Sequence, residues 1–93
     1  MTYEKFNSNT LINLIIDNDI EGLKSFISEI ISNINKNLTI ISRNETTLMA
    51  LEAAGFKEID QYKKLHEVNR DLRGANSYYS ILHDRACAAL SKF

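Results

Sequence analysis

Large apolar side chains recur from residue 20 to 34 as Ile20, Leu23, Phe26, Ile27, Ile30, Ile31 and Ile34. Steps of three and one, summing to threes and fours, trace one stripe of a helix with a 3.6-residue period. Glu21, Lys24, Ser28, Glu29, Asn33 and Lys36 fall mainly on the wet side. Asn18, with Glu21 three residues on, resembles a capping box in which Asn is the cap. Gly22 costs this helix up to ~1 kcal/mol relative to alanine, and the stripe outweighs it. Upstream, residues 10–17 predict a short helix with Leu11, Leu14, Ile15 and Ile16 on its apolar side and Ser8 or Asn9 as its cap. Asn18-Asp19 interrupts the pattern between the two.

Downstream the stripe lapses, and Leu38 to Ile41 reads as a short apolar connection. Ser42-Arg43-Asn44-Glu45 offers a second capping box, with Ser42 or Asn44 as cap, for a helix carrying Leu48, Met49, Leu51 and Ala54. Gly55 ends that helix where a left-handed residue is needed, and Phe56 is placed to fold back on Leu51. Residues 57–73 admit two readings. Ile59, Tyr62, Leu65 and Val68 recur every three residues and favour a helix; alternation through Tyr62, Lys64, His66 and Val68 permits an extended hairpin arm. Gly74 is expected to break the chain, and Asn76 or Ser77 to cap a last helix whose apolar surface is Tyr78, Ile81, Leu82, Cys87, Ala88 and Leu90. The fold class expected is mainly α, a compact bundle of four to five helices, with room for a small β-hairpin near residues 56–68. Its expected core is Phe26, Ile27, Ile30, Ile31, Leu48, Leu51, Phe56 and Leu82.

Composition narrows the function more than the fold. Ninety-three residues, with no proline and three glycines, predict a single domain over 1–93. A chain this short buries only about 60–65% of its surface, so the core must pack well or be completed by a partner. Net charge is −1, from 11 basic and 12 acidic residues. A nucleic-acid binder usually carries a basic surplus, which is missing here. Cys87 is the only cysteine, so no internal disulfide forms, and a reducing, cytoplasmic setting with Cys87 as a small buried hydrophobe is expected. No apolar run reaches the ~18–20 residues of a membrane span, and no signal-peptide pattern opens the chain.

Candidate chemistry is sparse. His83 and Asp84 are neighbours on a helix, about 100° apart, and are not expected to act as a base and its orienting partner. No glycine-flanked nucleophile points at them, and Arg73 stands too far before His83 for the helical ribonuclease signature. Neither a metal site nor a phosphate loop is expected, and no cofactor is implied. The strongest local charge feature is Lys57, Lys63, Lys64, His66, Arg70 and Arg73, with Tyr62 beside it. Such a strip suits an acidic peptide, a nucleotide or RNA. Glu58, Asp60, Glu67 and Asp71 interleave with it, the pattern of a solvated mixed face.

Two runs, Ile27-Ser28-Glu29-Ile30-Ile31-Ser32-Asn33-Ile34 and Ala50-Leu51-Glu52-Ala53-Ala54-Gly55-Phe56, resemble the PUB domain of peptide N-glycanase and several ubiquitin-pathway adaptors. That family carries a helix ending in an I-x-x-N-I-like run, a later helix closing in L-x-x-x-G-F, a small hairpin and a final helix. The resemblance covers about two-thirds of the chain. It implies a module that captures the C-terminal tail of the valosin-containing AAA ATPase, with Arg43-Asn44 standing for the family's Arg and Asn pocket residues. The family's K-Y-R-x-I segment has no counterpart between Asn37 and Glu45. Residues 14–24 resemble the opening helix-turn-helix of an ankyrin repeat, but no second repeat follows.

The function expected is therefore a small non-enzymatic protein-interaction module, adaptor or inhibitor-like, binding another protein or its peptide tail. Partner-binding candidates are Arg43, Asn44, Lys57, Tyr62, Lys63, Lys64, Arg70 and Arg73. The alternative is a small-ligand or nucleic-acid binder using the basic segment 57–73. The wide apolar stripe of 19–35, on a chain with little interior, predicts a surface patch and a homodimer or heteromeric contact through it.

Overall fold

A computed structural model describes residues 6–93. It holds three helices: α1 (Ser8–Ile16), α2 (Ile20–Ala53) and α3 (Asp60–Leu90). The two long helices run antiparallel as a hairpin, and α1 packs on both of them near the start of α2 and the end of α3. At 1.5 Å per residue the 34 residues of α2 span about 51 Å, which sets the molecule's length of 55 Å. The radius of gyration is 17.1 Å, against roughly 12 Å for a compact globule of this length. The chain is a rod, two helices thick.

Both turns use the same cap. Asn18, at φ 52°, and Gly55, at φ 84°, each take the left-handed conformation just past a helix end. Asp19 N donates to Leu14 O at 2.9 Å and Phe56 N to Leu51 O at 2.8 Å, closing a Schellman motif at each end. The starting caps are Asn7 for α1, whose side chain accepts from Thr10 N, and Asp19 for α2, whose side chain accepts from Gly22 N. They replace the expected Ser8 or Asn9 and Asn18. Gly22 is required by close approach: a Cβ there would press on the Asp19 carboxylate and stand 2.7 Å from Leu14 Cδ2.

Two corrections to the expected architecture follow. The connection at 38–41 does not exist, because α2 runs unbroken through it. Leu23, Ile27, Ile30, Ile34, Asn37, Ile41, Asn44, Leu48 and Leu51 alternate steps of four and three, and none of them is exposed. Asn37 and Asn44 occupy core positions, so the apolar stripe lapses while the helix continues. Nor does a β-hairpin form at 56–68: residues 54–59 turn the chain, and α3 begins at Asp60. There Tyr62, Leu65, Asn69, Leu72, Asn76, Tyr79, His83, Ala86 and Leu90 keep the same alternation, again with none exposed. Gly74 is passed without a break, since its helix-propensity cost of about 1 kcal/mol is small beside the layers on either side. The bundle of four to five helices is thus three.

These heptads mesh as an antiparallel coiled coil. Asn37 pairs with Asn76 and Asn44 with Asn69, which fixes the register. Continuing it sets Ile34 opposite Tyr79, Ile41 opposite Leu72, Leu48 opposite Leu65 and Leu51 opposite Tyr62. The densest packing lies under α1, where Phe6 meets Phe26 and Tyr79 edge-on at 5.9 and 5.5 Å between ring centroids. Leu11, Leu23, Ile30, Ala75, Leu82 and Ala86 complete that core. Of the expected core, Phe26, Ile30, Leu48 and Leu82 are buried and Ile27 and Leu51 half-buried, while Ile31 and Phe56 are exposed, at 43% and 52%. Ile31 sits one position past a core residue, on the side α1 does not reach. Phe56 lies in the turn, beyond the hairpin's last layer.

Candidate functional site

Heptad geometry gives the hairpin two long sides. One carries Phe26, Ala75 and Leu82, and α1 covers it near the end where α2 starts. The other carries Ile31, Leu38, Glu45 and Glu52 from α2, and Ser80, Arg73 and His66 from α3. A chain of three shallow hollows marks this open side. The largest, of about 510 Å³, is lined by Leu38, Ile41, Ser42, Glu45, Arg73, Asn76 and Ser77. Hollows of about 290 Å³, beside Met49, Glu52 and His66, and about 150 Å³, beside Ile31, Ser80 and Asp84, continue it towards the turn and towards the opposite end. Leu38 and Met49 stand exposed along this side at 51% and 67%. The result is a groove between two helices, running about 30 Å along the hairpin from Ile31 to Glu52, of the shape that a third helix fills.

The floor of the groove is polar at mid-length, through two repeats of one hydrogen-bond pattern. Asn37 Nδ2 donates to Asn76 Oδ1 at 3.0 Å, and Asn76 Nδ2 donates to Ile34 O at 3.3 Å. Seven residues on, Asn44 Nδ2 donates to Asn69 Oδ1 at 2.9 Å, and Asn69 Nδ2 donates to Ile41 O at 3.3 Å. Polar layers of this kind fix register and partner number at some expense in stability. Sequence reading passed over Asn37 and Asn69 and took Asn76 for a helix cap, although each helix displays a pair of asparagines spaced by seven.

The expected binding residues are dispersed. Arg43 is exposed on the outer surface of α2, while Asn44 turns inward to Asn69, so the two do not share a pocket. Lys57 lies exposed in the turn, and Lys63 and Lys64 on the outer surface of α3. Tyr62 is a core-register residue whose hydroxyl donates to Glu52 Oε1 at 2.6 Å. That bond to a carboxylate, with some desolvation and the nearby charge, raises the tyrosine pKa above its ordinary 10.0. Arg70 stands 3.8 Å from Asp71, and Arg73 pairs with Glu45 across the groove. The basic strip is thus wound around a helix and interleaved with acids, and only Arg73 belongs to the groove wall.

His83 and Asp84, expected to diverge, approach to 3.3 Å between Nδ1 and Oδ1. Cys87, one turn on and exposed rather than buried, places Sγ 3.7 Å from His83 Nε2. The i, i+4 spacing of His83 and Cys87 was a legible signal that sequence reading missed. The three groups lie on one helix surface whose backbone N–H groups are spent on the carbonyls four residues back, so none is available to hold an oxyanion. Among the described residues no three His, Cys, Asp or Glu side chains converge as metal ligands, and no helix is long and apolar enough to cross a membrane.

No known protein family, curated protein or solved structure matches the chain. The class the coordinates define is an antiparallel coiled-coil hairpin buttressed at one end by a short helix.

Proposed function

We propose that this chain is a non-enzymatic protein-interaction module that docks a helical partner along the open groove of its hairpin. One observation carries the reading: a groove along the hairpin from Ile31 to Glu52, with Ile31, Leu38 and Met49 exposed beside it. Two-helix hairpins gain little from burying apolar surface on one seam alone, and a third or fourth helix is the ordinary way of covering the remaining side. Helix-in-groove recognition asks for apolar anchors at helical spacing with polar residues flanking them. Ile31 and Leu38 are one heptad apart, with Glu45 and Arg73 next along. The interleaved acids around Lys63, Lys64 and Arg70 suit a solvated outer surface better than a phosphate-binding strip.

Photo-crosslinking tests this. A benzophenone amino acid at Ser42 or Ser77, both on the groove wall, should trap a partner in living cells. The same probe at Arg43 or Lys64, on outer surfaces, should trap little. Equal trapping at all four positions, or trapping only at the outer pair, would remove the groove from consideration.

A further inference from the structure

We infer that the groove's occupant is a second copy of this chain, related by a twofold axis parallel to the length of the hairpin. This rests on the groove being a docking surface, and it adds the partner and the geometry. Turning one copy by 180° about such an axis lays open side on open side. Each α2 then lies antiparallel beside the α3 of the other copy at the same height, closing a four-helix bundle with α1 on both outer surfaces.

The charges along the two groove walls are complementary under that operation. The α2 wall runs from Lys24 through apolar Ile31 and Leu38 to acidic Glu45 and Glu52. At the corresponding heights the α3 wall runs from Asp84 through Ser80 and Ser77 to Arg73 and then His66. Glu45 and Glu52 face Arg73 of the other copy towards the turn, where Arg73 also pairs with Glu45 of its own copy; Lys24 faces Asp84 at the opposite end, and the uncharged stretches meet in the middle. A twofold axis set across the hairpin at mid-length would instead lay Glu45 against Ile31 of the other copy, stranding a carboxylate on apolar surface. Size agrees as well. The 55 × 17 Å side of the rod offers on the order of 900 Å², and a standard interface takes ~800 Å² from each partner. Twofold dimers are also the commonest closed assembly of soluble chains.

The decisive experiment uses the full chain and two charge variants. One, Glu45→Lys with Glu52→Lys, makes the turn half of both groove walls basic; the other, His66→Glu with Arg73→Glu, makes it acidic on both. Sedimentation at ~10–100 μM, where micromolar dimers are visible, should show the unaltered chain as a dimer. Each variant alone should dimerise roughly tenfold or more weakly, because several facing pairs become like-charged at once. An equimolar mixture should recover a heterodimer. Nitroxide labels at Phe56→Cys, on a Cys87→Ser background, supply a second readout in the otherwise unaltered chain. A parallel axis brings the two turns to one end, whereas an axis across the hairpin separates them by about the rod's length. A monomer throughout that concentration range, widely separated labels, or variants that fail to recover on mixing despite native helicity would each overturn the inference. Groove-specific crosslinks to a different protein, with a monomeric chain, would overturn the dimer while leaving groove docking intact.

Discussion

Replacing Asn76 by leucine should destabilise the hairpin, and replacing Asn37 by leucine as well should restore it. Asn37 and Asn76 are 7% and 9% exposed, so little of either amide reaches water. Leucine at 76 removes the acceptor of Asn37 Nδ2 and leaves that amide buried without its cross-helix bond. An unmet buried donor costs about 1–3 kcal/mol, partly offset by the apolar surface leucine buries. The double substitution removes the need for the bond and adds an apolar layer between Ile34 and Ile41. It should equal or exceed the unaltered chain, giving a coupling of roughly 1–3 kcal/mol in a double-mutant cycle. Urea unfolding followed by far-UV dichroism measures it: with an m-value near ~1–1.5 kcal/mol/M, a 1 kcal/mol change moves the midpoint by close to 1 M. Stability gained in the double variant should come with lost specificity, seen as altered oligomer size or broadened amide resonances, since the polar layer is what selects this register. Strictly additive single and double effects would show that the two amides do not meet across the hairpin.

Ile30→Ala, at a fully buried position beneath α1, should cost ~2–5 kcal/mol in the same titration; a loss below half a kcal/mol would place the stripe on a free surface. The two helical glycines should respond with opposite signs. Gly74→Ala meets no neighbour within 4 Å and should stabilise by ~0.5–1 kcal/mol, whereas Gly22→Ala drives its methyl into Asp19 and Leu14 and should lower the thermal midpoint. Because the bond to Glu52 raises the Tyr62 pKa, its contribution is fully present below the unfolded value near 10 and is lost as pH rises through the folded value. The unaltered chain should therefore lose more stability above pH 10 than Tyr62→Phe does, and identical alkaline profiles for the two would contradict the bond.

The sequence by itself determined the local signals. The stripe at 20–34 made a helix inevitable, the short helix before it was visible in Leu11, Leu14 and Ile15, and Gly55 marked the end of α2 because few other residues tolerate its backbone angle. What it did not reveal was continuity and orientation, and both failures have one cause. Asn37, Asn44, Asn69 and Asn76 look like surface or capping residues to any local rule, because a buried amide is acceptable only where a partner satisfies it. For Asn37 that partner lies 39 residues away, and only the folded hairpin brings it near. Read locally, the asparagines interrupt α2 at 38–41; in the structure they are its polar layers. The same holds for Ile31, which shares the apolar stripe of Ile30 but faces the open groove. Helical periodicity shows which residues share a side of a helix. Which side meets a neighbour is decided by the pairing of α2 with α3 and by the short reach of α1, and those are properties of the tertiary structure alone.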